Sequence, residues 1–120
     1  MDGEKNELLT TLENFKERFN ANSLVKKLIK KWDRSIMLES IDTGSNYSMI
    51  IEGQELNAIK EGFVEWDPPV RLQAEEVILC QIFSGQYNPA TALIDGVLAV
   101  FSEERDKVKL EAIAMIVWGL

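Results

Sequence analysis

Leu8, Leu12, Phe15 and Phe19 recur at steps of four, three and four, the spacing of one helical face. Asn6 precedes them as a capping residue. "NANS" at 20–23 interrupts the pattern, and Asn22 or Ser23 can cap a second helix. There Val25, Leu28, Ile29 and Trp32 share one face, while Lys26, Lys27, Lys30, Lys31 and Arg34 occupy the other. The period then changes to two. Ile36 and Leu38 alternate with polar neighbours over 34–40, apart from Met37, and Tyr47, Met49 and Ile51 point one way over 46–52. "DTGSN" at 42–46 and the Gly53–Gln54 pair are turn signals. Residues 55–66 read as a third strand with a bulge or bend at Gly62. Three strands on short turns predict an antiparallel meander over 34–66 with one covered face.

Asp67, Pro68 and Pro69 close the meander. Residues 70–74 read as a fourth strand and 75–85 as a helix, with Glu75 and Glu76 in its first turn and Gly85 just past its end. Ile78, Leu79, Ile82 and Phe83 lie on one side of that helix. Asn88 caps the next one and Pro89 takes its first position, where a missing N–H costs nothing. Gly96 releases the chain into Val97–Phe101, a run apolar on both sides, which predicts a central or doubly covered strand. Ser102 is placed to cap the last helix, with Glu103 and Glu104 at its positive end. From Ala112 to Trp118 that helix has no polar stripe. A helix of this kind is expected to be covered all round, by the core, by a partner chain or by a bound apolar molecule.

The totals narrow the function classes. A chain of 120 residues fits one domain, 1–120, and its 46% hydrophobic and 28% charged residues are ordinary for a globular protein. A net charge of −7 argues against nucleic acid as a partner. The absence of histidine removes Ser-His and Cys-His nucleophile pairs and the commonest metal ligand. The single cysteine, Cys80, excludes an internal disulfide and reads as a buried, inert thiol. No apolar run reaches the roughly 18 residues of a membrane span. The opening "MDGEKNELL" lacks the layout of a signal peptide and "VWGL" is not a peroxisomal ending, so a cytoplasmic location is expected. The acidic pairs sit in first helical turns, where the dipole accounts for them. No catalytic residue, metal site or cofactor is expected; for an enzyme working on an apolar substrate, Asp95 is the one carboxylate to inspect.

Gly85, Asn88, Pro89, Ala92, Leu93, Gly96, Leu98 and Val100, in that order, resemble the specific segment of the sterol carrier protein type 2 domain. The order of the other elements agrees over nearly the whole chain: N-terminal helices 6–32, the meander 34–66, then strand, two helices, strand and helix over 70–118. The turn before the last helix departs from the family, with "SEER" where a small residue and glycine are usual. The resemblance implies an α+β fold, a five-stranded mixed sheet covered on one face by helices, with an apolar tunnel between them. It implies a non-enzymatic domain that binds or transfers a sterol, fatty acyl chain, acyl-CoA or similar lipid. On that basis Met49, Ile51, Leu79, Ile82, Phe83 and Leu93 are the expected ligand contacts, with Ile113, Ile116 and Val117 closing the wall. The alternative is a protein–protein module in which the last helix joins a second copy in a homodimer and no ligand enters. Lys26, Lys27, Lys30, Lys31 and Arg34 form either a peripheral membrane contact or a solvated face.

Overall fold

A computed structural model describes residues 7–118. The first apolar stripe forms α1 (Glu7–Ala21), with Leu8, Leu12, Phe15 and Phe19 buried. The proposed cap at Asn6 lies outside the described residues. The Asn22 side chain accepts from the N–H groups of Leu24 and Val25, at 2.9 and 3.1 Å, and so starts α2 (Ser23–Leu28). This helix is shorter than its pattern predicts. Ile29 closes it and Lys31, at φ 62°, turns the chain into the sheet. Val25, Ile29 and Trp32 stay buried on one side although only the first is helical.

The strands are β1 (Arg34–Ser40), β2 (Asn46–Ile51), β3 (Leu56–Glu61), β4 (Val70–Ala74) and β5 (Ala99–Phe101), ordered β3-β2-β1-β4-β5. Among the described residues only the β1–β4 pair is parallel. Ile36 stands opposite Met49 and Val70, and Leu38 opposite Tyr47 and Leu72. These residues form one continuous apolar face, which the helices cover. Ile50 faces Ala58 and Ile51 faces Leu56, so the unpaired extra residue is Asn57 at the start of β3, whereas Gly62 is a bend. Strand β3 stops at Glu61, short of Trp66; Gly62 (φ 83°) turns the chain out into an irregular segment over 62–69, where Phe63 and Trp66 are exposed.

Strand β5 corrects a second expectation. It is three residues long and lies at the sheet edge. Leu98 and Val100 turn toward the helices, whereas Phe101 is 52% exposed. Its outward ring has a partner in the Arg71 guanidinium, 5.9 Å from the ring centroid, and Arg71 is itself ion-paired to Glu39 at 2.9 Å. An apolar residue on the open face is thus covered locally, without a second layer.

Three helices complete the covered side: α3 (Glu76–Phe83), α4 (Pro89–Ile94) and α5 (Glu104–Trp118). Asp42, in the β1–β2 turn, accepts from the Glu76 N–H at 2.9 Å and so caps α3 from another element. That bond, followed by one from Ser40, holds the Asp42 carboxyl below the ordinary aspartate range. Asn88 caps α4, accepting from Ala90 N–H at 2.8 Å. Ser102 does not cap α5, because its hydroxyl donates to the Glu103 carbonyl. The anchor of α5 is instead Asp106, 2% exposed, which accepts from Trp32 Nε1 at 2.8 Å and pairs with Arg34 Nε at 3.2 Å. Lys109 Nζ adds a bond to the Leu28 carbonyl at 3.1 Å. The far half of α5 is held less completely than expected. Over 112–118 only Ile113 is fully buried, and Met115 is 56% exposed.

Candidate functional site

A cavity of about 70 Å³ lies between the covered sheet face and the helices. Ile36, Met49, Ile51, Leu72 and Val100 form its floor. Phe15 and Phe19 of α1, Ile82 and Phe83 of α3, and Leu93 of α4 form part of its roof. Helix α5 supplies the remaining wall through Lys107, Leu110, Glu111, Ile113, Ala114 and Trp118. The spacing explains the choice: 107, 111, 114 and 118 recur every three or four residues and make one stripe. Among the described residues, Lys107 and Glu111 are the only ionisable side chains on the wall, one turn apart in the first half of the helix.

Six of the residues expected from sequence border this space: Met49, Ile51, Ile82, Phe83, Leu93 and Ile113. Leu79 does not; it is fully buried in the solid core between α3 and its neighbours. Ile116 and Val117 pack against the core but fall off the α5 stripe that faces the cavity. The α1 pair Phe15 and Phe19 is not among the expected contacts, because the spacing that puts them on one helical face is the same for a cavity wall and for a core. Trp118 was legible in principle, four residues after Ala114 on the stripe.

One end of the cavity is aromatic. Phe15 meets Phe83 edge to face at 5.1 Å and Phe19 at 5.8 Å. The Trp118 ring lies 6.3 Å from Phe15, and the Arg18 guanidinium sits 4.5 Å from the Trp118 ring centroid. Gly85, at φ 83°, leaves room for that indole, since a Cβ there would come within 2.6 Å of Trp118 Cε3.

The other candidate residues lie elsewhere. Asp95 is exposed at the end of α4 and accepts from the Tyr87 hydroxyl, away from the cavity wall. Cys80 is half-buried rather than fully enclosed, and desolvation pushes its thiol pKa up, partly offset by a bond with Thr11. The basic residues do not share one face. Arg34 is the first residue of β1 and pairs with Asp106, and Lys26 donates to the Gln54 carbonyl at 3.3 Å. Lys27, Lys30 and Lys31 remain exposed. Among the described residues no helix is long and apolar enough to cross a membrane.

No family model matches the sequence, and no curated protein matches it. Solved structures do match. A sterol carrier protein domain 2 of Helicoverpa armigera superposes with a TM-score of 0.71 at 14% identity, covering 95% of this chain and 90% of that one. A palmitated SCP2L2 from Aedes aegypti gives a TM-score of 0.60 at 17% identity, covering 88% of this chain and 91% of that one. An inverting sec-alkylsulfatase from Pseudomonas sp. matches with a TM-score of 0.61 at 14% identity, over 76% of this chain. The match covers only 14% of that enzyme's length. With its strand order, its single parallel pair and its helices on one face, the chain has the sterol carrier protein 2 fold.

Proposed function

We propose that this protein is a non-enzymatic carrier that holds one apolar molecule between the sheet and α5. The observation that carries this reading is the cavity along α5, whose wall is apolar except at Lys107 and Glu111. Catalysis needs positioned polar groups at a reacting atom, and a wall of aliphatic and aromatic side chains supplies shape and desolvation instead. Burying about 400 Å² of hydrocarbon gives a gross ~10 kcal/mol, from which ordering and association costs are subtracted. No specific polar contact is then required, which suits a fatty acyl chain, a sterol or a similar lipid. The palmitated Aedes domain of the same fold supports a chain of that kind.

The empty space is about half of the roughly 150 Å³ void that holds a benzene ring, so a lipid tail must widen it. Helix α5 is built for that. Its first half is pinned by Asp106 and Lys109, while its second half has one fully buried residue, Ile113, after position 111. The tail enters as the second half loosens, and the helix then closes over it.

Native mass spectrometry of protein purified without detergent tests the reading: a copurifying mass of a few hundred daltons is expected, and an empty protein that also ignores added fatty acid rejects it. Truncation after Glu111, with the rest still folded, should abolish binding; retained binding rejects the opening step. One observation favours a second reading, a dimer module. Val108 and Met115, 54% and 56% exposed, form an outward apolar stripe with Ala112 on α5. A tight dimer that holds no lipid in sedimentation and mass measurements favours that reading.

A further inference from the structure

We propose that Trp118 determines what the cavity admits: its indole fills one end of the ligand path, and a long apolar chain must displace it. The inference rests on the carrier reading above. Lys107 and Trp118 both line the cavity and are eleven residues apart on α5, a separation of about 16 Å along the axis. The ligand path therefore runs along the helix, from the ionisable pair to the aromatic cluster. At the aromatic end the space belongs to the protein's own indole, which stands 6.3 Å from the Phe15 ring.

Three features suit this indole to leave and return. Arg18 holds it by its charge over the ring, at 4.5 Å, from an exposed position on α1. Gly85 provides a slot that any side chain would close, since a Cβ would lie 2.6 Å from the ring. The neighbouring residues Met115, Ile116 and Val117 are exposed or half-buried, so the last turn can move while Ile113 and Asp106 stay seated. A short chain needs only the loosening of α5 described above and leaves the indole in place. A longer one must take its place, and loses affinity by the free energy of unseating it.

The test is a titration of wild type, Trp118→Ala and Gly85→Ala with straight-chain fatty acids from decanoate to stearate, followed by calorimetry. Trp118→Ala should bind the longest chains about tenfold more tightly than wild type and the shortest almost equally. Gly85→Ala should shift affinity in the same sense with the indole still present, and its tryptophan emission should move to the red. Trp118→Ala should also take up more benzene than wild type does. A residue that is only part of the core predicts the reverse: lower stability, and affinity unchanged or weaker at every chain length. A flat ratio across the series, or no gain in benzene uptake, overturns the role of Trp118 while leaving the carrier reading intact. Failure of every fatty acid to bind either protein removes the carrier reading and this inference with it. If Gly85→Ala does not fold, Trp118→Ala decides the question alone.

Discussion

Asp106 has the most to lose from a change of one side chain. It is buried on α5, and its partners Trp32 and Arg34 lie more than seventy residues away in sequence. Asp106→Ala leaves a buried indole N–H and a guanidinium without their acceptor. Because Arg34 keeps 26% of its side chain in water, the expected cost is near the low end of the range for breaking buried pairs, about 3 kcal/mol by urea denaturation. A loss below about 1 kcal/mol would show that the pair only decorates the helix. At Cys80, burial disfavours the thiolate, so the thiol should react with a disulfide reagent near pH 8 more slowly than a free cysteine. Rates equal to the free amino acid would contradict that. These two residues mark the limits of reading from sequence. Leu8, Leu12, Phe15 and Phe19 announced their burial through local spacing. Nothing local told Asp106 from the solvated acids Glu103 and Glu104, because its partners are set by the tertiary fold.

Among the elements, the short ones were readable where their chemistry is self-contained. Asn88, Pro89 and Gly96 define α4 within a few residues, and Asn88→Ala should lower stability by about 1 kcal/mol in thermal unfolding through loss of the cap. Helix α3 differs, because its first N–H is capped by Asp42 from the β1–β2 turn. The lowered pKa of Asp42 means that the capping carboxylate is charged above the ordinary aspartate value of 3.8 and is protonated only as pH falls through its depressed midpoint. An NMR titration should place that midpoint below 3.8, and a midpoint at or above it would remove the cap from the account. Strand β5 was misread because two-sided apolarity is shared by central strands and by edge strands with one outward ring resting on an arginine. The third strand was read five residues too long because "GFVEW" continues its apolar pattern, whereas the positive φ of Gly62 ends the ladder. The candidate site was legible only in outline. Its floor follows from strand alternation, but which core residues border empty space depends on how the helices meet, and no pattern in the chain encodes a gap.

For the whole molecule, the proposed carrier role would couple ligand binding to stability. A guest that occupies only the native cavity, at a hundred times its dissociation constant, should add about 2.7 kcal/mol and raise the melting temperature by several degrees. An unchanged melting curve with saturating fatty acid would speak against a specific native-state site. The arrangement of the sheet has a further effect, on the nascent chain. Strand β1 lies between β2, which follows it directly, and β4, which arrives some thirty residues later beside it in parallel. Helix α1 must wait longer still, some fifty-five residues, for α3, the element it packs against most. Until the ribosome has delivered residues up to about 83, the greasy side of α1 is covered only in part, by α2 and β3. Synthesis halted between β3 and α3 should therefore release a fragment that chaperones retain or that aggregates, and a chain extended past α3 should escape both fates.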